Sequence, residues 1–188
     1  MSRLSPLDET SMSAAQRALL QALNSGPRAR QGKVAPVGPF GVWLHSPTIG
    51  DAAQSFGAAV RFGTQLPERI KEIAICTVGA HYRAKFEFAA HGPMAIRAGV
   101  PAEAVEAIRV GEDPQLSDAG DIASYRIARQ LLTRHRLEEA TYGDAVQRFG
   151  ESGLVELVTV IGYYCLVCLT LNAFDVEVTQ RMTDPFPD

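Results

Sequence analysis

The sequence predicts an all-α protein, an oligomeric helical bundle with an extended N-terminal arm. From Ser46 onward, apolar residues recur at helical spacing, and residues that begin or end helices recur at matching intervals. No segment alternates apolar and polar residues as a half-buried strand would. The 188 residues, of which 46% are hydrophobic and 21% charged, fit one globular domain. The most apolar helices indicate burial between subunits as well as within one.

Residues 1–39 are predicted to form an N-terminal helix and an arm. Ser13 can cap a short helix that ends near Asn24. Residues 25–39 then contain three prolines and three glycines, a composition typical of an irregular segment. Because residues 40–44 are aromatic and apolar, we expect the arm to dock onto a core, either its own or that of a neighbouring subunit.

Residues 40–180 are predicted to form the helical domain, and residues 181–188 a short tail. Pro67 suits the first turn of a helix, and Ser117 or Asp118 can cap another. Gly99 and Gly150 are expected to end two more. On these signals the predicted helices span residues 49–62, 67–82, 83–98, 101–111, 119–133, 137–149 and 153–174.

The last predicted helix is almost continuously apolar from Leu154 to Phe174, which is long enough to cross a bilayer. It also contains Glu156 and Asn172, and Asp175 follows at once. We therefore expect the central helix of a soluble protein, buried on all sides, and no membrane partner.

Composition and sequence motifs limit the classes of binding partner and the cellular compartment that we expect. A net charge of −3 with scattered basic residues gives no electrostatic footprint for nucleic acid. The N-terminus has no basic segment followed by an apolar one, so we expect no secretory signal. No histidine and carboxylate spacing typical of a metal site is present, and no glycine-rich nucleotide motif. We expect a cytoplasmic protein without metal or cofactor.

Glu72, Glu87 and His91 are the predicted catalytic residues. Glu87 and His91 are four residues apart, so on a helix they lie on one face, among apolar neighbours. Glu72 lies between Ile70 and Ile73 in the preceding helix, an apolar setting that would raise its pKa and make it a proton donor. Such groups are costly to bury unless they serve each other or a ligand, which favours proton transfer. The alternatives are a solvated ion pair and helix-dipole stabilisation.

The junction between these two helices carries the predicted substrate-binding residues His81, Tyr82 and Arg83. A guanidinium can bind a substrate carboxylate through its two-pronged fork. A polar cluster that stabilises a helix end explains the same residues equally well.

The three cysteines are Cys76, Cys165 and Cys168, and they form no disulfide framework. The C-x-x-C spacing of the last two is one that redox proteins use. Their surroundings are apolar, and burial of that kind raises the pKa of a thiol and makes it inert. We therefore interpret all three as small core residues.

Four segments of the chain resemble the carboxymuconolactone decarboxylase and alkylhydroperoxidase D superfamily. They are FGVWLHSP, LPERIKEIAI, YRAKFEFAAHGPMAIRAGVP and YYCLVCLTLNAFDV, and the likeness covers about residues 40–178. The chain is more similar to the decarboxylase-like branch. The resemblance implies an alkylhydroperoxidase D-like bundle that assembles into trimers or hexamers, with a dimer as a further option and an active site near a subunit interface.

The peroxidase branch of that superfamily has a C-x-x-C pair before the motif histidine and a proton-relay glutamate upstream. By spacing, the glutamate falls on Glu72 and the histidine on His91, but the cysteine positions fall on Ala84 and Glu87. The resemblance therefore implies a cofactor-independent decarboxylase in aromatic compound catabolism, whose partner is a small carboxylated lactone or related acid. His91 would deliver the proton, oriented by Glu87, with Glu72 as relay and Arg83 as anion holder. A thiol peroxidase and a non-catalytic oligomer that binds a small acid are the alternatives.

Overall fold

The computed structural model describes residues 2–5 and 7–187, apart from the side chains of Glu9 and Gln31. Every regular element in this part of the chain is helical, so the predicted all-α class is confirmed. Short 3-10 helices span Glu9–Ser11 and Pro27–Gln31. The α-helices are α1 (Ala14–Ser25), α2 (Gly38–Trp43), α3 (Pro47–Phe62), α4 (Glu68–His81), α5 (Lys85–Arg97), α6 (Ala102–Val110), α7 (Ala119–Arg134) and α8 (Glu139–Ala173).

The most enclosed helix is α4. Every residue from Ile70 to Gly79 is buried, and α4 packs against α5, α6, α7 and α8. Its apolar side chains contribute to two core clusters, one shared mainly with α7 and α8 and the other with α5 and α6. A polar side chain in this stretch, such as Glu72, therefore lies inside the protein and needs a partner there.

Helix ends follow the local sequence signals. The Ser13 hydroxyl accepts a hydrogen bond from the backbone N–H of Gln16, whose side chain accepts one from the Ser13 N–H in return. Asp118 caps α7 by accepting from two backbone N–H groups, so it is the cap rather than Ser117. Gly99, with a φ of 96°, follows the end of α5 in a backbone conformation that favours glycine.

The helix α8 breaks at Gly150, where the sequence predicts a helix end. This residue has a φ of 69° and a ψ of 171°, so residues 139–149 and 151–173 are separate helical segments. By length and composition alone α8 is apolar enough to cross a membrane, and half of its most apolar stretch is buried inside the fold. The core helix of a soluble protein meets the same criterion.

The second segment of α8, residues 151–173, is buried on one face and exposed on the other. Leu157, Val160 and Val167 pack in the main core. The opposite face is open, with exposed fractions of 66% for Val155, 45% for Leu166 and 54% for Leu169. The expectation of burial on all sides is therefore wrong for the single chain, because none of the helices in the described residues covers this face.

The N-terminal arm docks onto the core of its own subunit. Helix α1 contributes Leu19 and Leu23 to a small cluster that also contains Leu44. Trp43, at the end of α2, is buried in the main core. The residues between α1 and α2 line a cleft together with α3, α5 and α8.

The described part of the C-terminal tail is also anchored. Phe186 is buried and packs edge-on against Phe88, with ring centroids 5.4 Å apart. The Lys85 ammonium pairs with Asp184 at 2.9 Å. The tail therefore closes the second core cluster.

Candidate active site

Helices α4 and α5 bring the three predicted catalytic residues together. Glu72 Oε2 lies 2.7 Å from His91 Nδ1, and Glu87 Oε1 lies 3.1 Å from His91 Nε2. The second contact follows from the four-residue spacing on α5, whereas the first depends on the packing of α4 against α5. One buried imidazole is thus held between two buried carboxylates.

The two carboxylates do not hold His91 in the same way. The contact with Glu72 is an aligned hydrogen bond. Glu87 Oε1 is buried and close to Nε2, yet it has no aligned hydrogen-bond partner among the described residues. Glu72 therefore fixes the orientation of the ring, a role that the sequence assigns to Glu87, while Glu87 holds Nε2 through a less directed ion pair.

Arg61 on α3 completes the buried cluster. Its Nη1 lies 2.8 Å from Glu72 Oε1, and its Nη2 pairs with Glu68. The Lys71 ammonium donates to the Arg61 carbonyl at 2.7 Å. Glu72 has no exposed surface, so this ion pair is what compensates the buried charge on the side away from His91.

Sequence reasoning missed Arg61. The available signal was its position on α3, where it shares the buried face with Ala53, Gly57 and Val60. A cation on an apolar helix face needs a buried anion, just as Glu72 needs a cation. That complementarity is visible in the sequence, but the pairing depends on how α3 packs.

The electrostatics of the cluster contradict the expected pKa of Glu72. Burial by itself raises the pKa of this carboxyl, but the charges of His91 and Arg61 and the hydrogen bond to His91 lower it to about 2. Burial also disfavours the charged imidazole, yet the two carboxylates raise the pKa of His91 to about 9. At neutral pH Glu72 is ionised and His91 is protonated, so His91 is the proton donor of the pair.

A cleft of about 320 Å³ opens onto Glu87 and His91. Its wall includes Tyr164, whose ring meets that of His91 edge-on at 5.1 Å, and Tyr163, whose ring meets that of Tyr164 at 5.4 Å. Neither tyrosine hydroxyl has a hydrogen-bond partner among the described residues. Burial raises the pKa of both phenols, that of Tyr163 to about 12, so they are neutral donors available to a ligand.

The predicted substrate-binding residues do not line this cleft. His81 and Arg83 are exposed and lie in a separate depression with Arg109 and Arg129. The Arg83 guanidinium lies over the ring of Phe186, 5.2 Å from its centroid.

Tyr82 serves the structure at the same junction. Its backbone carbonyl accepts a hydrogen bond from the Asn172 side chain at 2.7 Å. This contact ties the junction between α4 and α5 to the end of α8.

The cysteines lie in apolar surroundings. Cys76 and Cys168 are buried and Cys165 is half-buried, and all three are free thiols. Burial raises the pKa of each thiol, so all three are protonated at neutral pH. In the described part of the chain, no group of three or more metal-ligating side chains is placed to hold a metal ion.

The chain matches no family model and no curated protein sequence. Solved structures do share its fold. An uncharacterised peroxidase-related protein from Ralstonia eutropha JMP134, described as an alkylhydroperoxidase AhpD core, aligns with a TM-score of 0.76 and 14% identity. The alignment covers 95% of this chain and 93% of that chain.

The debrominase Bmp8 also aligns over nearly the whole chain. The apo structure has a TM-score of 0.70 and 12% identity, covering 93% of this chain and 91% of that one. A cysteine-to-alanine variant of Bmp8 in complex with 2,3,4-tribromopyrrole has a TM-score of 0.69 and 15% identity, covering 96% and 95%. These likenesses confirm the predicted alkylhydroperoxidase D-like fold, at identities that show the fold alone.

Proposed function

We propose that this protein is an enzyme that decarboxylates a small carboxylated lactone or related acid without a cofactor, by proton transfer from His91. The supporting observation is the imidazole held between Glu72 and Glu87 in the wall of a cleft. A protonated histidine that lines the cleft and is held through Nδ1 by Glu72 is suited to act as a general acid.

Decarboxylation requires both electron acceptance and protonation. The bond between the carboxylate and its carbon breaks, carbon dioxide leaves, and the electron pair passes into a conjugated enolate. His91 then donates its Nε2 proton to that carbon, while Glu72 keeps the Nδ1–H hydrogen bond and remains ionised. The imidazole regains its proton from solvent, so no redox cofactor or metal enters the balance.

Thiol peroxidase chemistry is the less favoured alternative. The superfamily pattern would place its cysteines at Ala84 and Glu87, and burial raises the pKa of the cysteines that are present. The fold neighbours, a peroxidase-related protein and a debrominase, support an enzymatic role for this fold without selecting the reaction.

The direct test is carbon dioxide release from a panel of carboxylated lactones and β-keto acids. His91→Ala and His91→Gln should lower turnover by about 10²- to 10⁴-fold, because that is the usual contribution of a general acid. His45→Ala, which changes an exposed histidine, is the matched control and should keep full activity.

Near-normal turnover in folded His91 variants would refute this mechanism. Binding of these acids without any release of carbon dioxide would favour the non-catalytic alternative. Peroxide reduction that is abolished by cysteine alkylation would favour the thiol peroxidase.

We also propose that the protein is a cytoplasmic homo-oligomer, most simply a trimer or a hexamer. The support is an exposed apolar surface, here called the α3–α8 face, made by Val155, Val158, Leu166 and Leu169 of α8 with Ile49 and Phe56 of α3. Phe56 packs edge-on against Tyr163, so the two helices present their exposed residues side by side. Adjoining apolar faces of this kind are typical of protein–protein contacts.

A further inference from the structure

We propose that Arg28, on the N-terminal arm, binds the carboxylate of the substrate, and that the cleft selects a small planar ring carrying one such group. This inference rests on the proposed function for its reaction, but it concerns binding and can be tested without turnover. It transfers the role of anion holder from Arg83, which lies outside the cleft, to a residue of the arm.

Arg28 is the half-buried cation of the cleft that has no carboxylate partner. Arg61 is committed to Glu72 and Glu68. Arg28 Nη1 donates to the Gln54 carbonyl at 2.9 Å, and none of the described carboxylates forms an ion pair with its guanidinium. A partly desolvated guanidinium without an anion is costly, and a ligand carboxylate would supply what the fold does not.

Gly57 on α3 makes room for this arrangement. A Cβ at this position would lie 2.0 Å from the Tyr163 hydroxyl and 2.7 Å from Arg28 Nη2. The missing side chain thus allows the Tyr163 hydroxyl and the Arg28 guanidinium to lie side by side against α3, and both side chains line the cleft. The phenol has no hydrogen-bond partner among the described residues. Two neighbouring donors on the wall of one cleft are suited to the two oxygens of a carboxylate.

Aromatic rings shape the rest of this end of the cleft. The Arg28 guanidinium lies 5.3 Å from the ring centroid of Phe40 and 5.9 Å from that of Phe62. Phe86 and Tyr164 also line the cleft, which at about 320 Å³ is at the small end of ligand pockets. Flat apolar walls around a small space favour a single planar ring.

The net charge of the cleft also favours an anion. Lys33 lies on its rim, is exposed and pairs with none of the described carboxylates. Among the other charged side chains that line the cleft, Glu87 pairs with His91, and Arg61 pairs with Glu72 and Glu68. Arg28 and Lys33 therefore remain as the uncompensated charges, and both belong to the arm.

Benzoate is a suitable probe, because it is a planar ring with one carboxylate and needs no turnover. We expect the full chain to bind benzoate in calorimetric titrations, and to bind neutral benzamide and ringless acetate more weakly. Arg28→Gln should raise the Kd for benzoate about ten- to a hundredfold, the range for loss of a hydrogen bond to a charged group. Arg30→Gln removes the same charge from an exposed position on the same 3-10 helix and should leave the Kd unchanged.

A second variant protects the test against unfolding of the arm. Lys33 is exposed, so Lys33→Gln leaves the packing intact and should raise the Kd for benzoate about two- to fivefold, as expected for an exposed charge. The proposal would be overturned if benzamide bound as tightly as benzoate, if folded Arg28→Gln kept the wild-type Kd, or if Arg30→Gln weakened binding equally. Failure of decarboxylation with intact benzoate binding would refute the proposed reaction and leave this site standing.

Discussion

His91 and Glu72 stabilise each other only while both are charged, and this sets a pH window for stability. The pKa of His91 rises from 6.5 to about 9 on folding, so its contribution is complete below pH 6.5 and is lost as pH rises through 9. The pKa of Glu72 falls from 4.5 to about 2, so its contribution is complete above pH 4.5 and is lost as pH falls through 2.

We therefore predict that the free energy of unfolding contributed by this pair is largest between pH 4.5 and 6.5 and declines towards pH 9. Urea unfolding at one fixed protein concentration should show this alkaline decline in the wild type and a flatter profile in His91→Gln. His45→Gln serves as the control and should retain the wild-type profile. Identical profiles in the wild type and His91→Gln would contradict the ion-pair assignment.

Single residues also show how far the sequence predicts the site. The contact between Glu87 and His91 was predictable, because a four-residue spacing is a property of one helix. Arg61 and Arg28 were not, because each reaches the site from a different element whose packing no local pattern encodes. The sequence predicts substrate binding by Arg83 because this residue adjoins the site helices, yet it lies in the turn between α4 and α5, exposed and with a φ of 48°.

At the scale of the helices, most boundaries could be predicted because caps and breakers act locally. Asp118, Gly99 and Gly150 each mark an end that the structure contains. Helix α2 was missed because its six residues are too few to show helical periodicity. The packing of α8 could not be predicted because an apolar run does not show which of its faces meets the core of the same chain.

Two glycines of α8 provide a matched test of whether a local residue sets the break in this helix. Gly150 has a φ of 69° and a ψ of 171°, a conformation that is essentially restricted to glycine, so Gly150→Ala should destabilise the protein by about 1–3 kcal/mol. Gly143 lies inside the first segment of α8 with open space around it, so Gly143→Ala should stabilise the protein by about 0.5–1 kcal/mol. Urea unfolding measures both, and shifts of equal sign would show that Gly150 is not held in this conformation.

At the scale of the whole molecule, the α3–α8 face adjoins the candidate site. Tyr163 lines the cleft and packs against Phe56 of the face. A second copy of the chain that covered this face would lie beside the cleft mouth, which is where the family resemblance implies a subunit interface. Assembly is therefore expected to influence ligand binding as well as stability.

We predict that a single charge on the α3–α8 face dissociates the oligomer. Leu166 is 45% exposed in the α8 part of this face. Leu166→Lys would bury a cation between subunits without a partner. Val110→Lys, at a residue that is 49% exposed on α6, adds the same charge outside the face and should leave assembly unchanged. Sedimentation velocity should then show a trimer or hexamer for the wild type and Val110→Lys, and smaller species for Leu166→Lys. A wild-type chain that sediments as a monomer would refute the assembly, and a monomer that floats with lipid vesicles would assign the same face to a membrane surface.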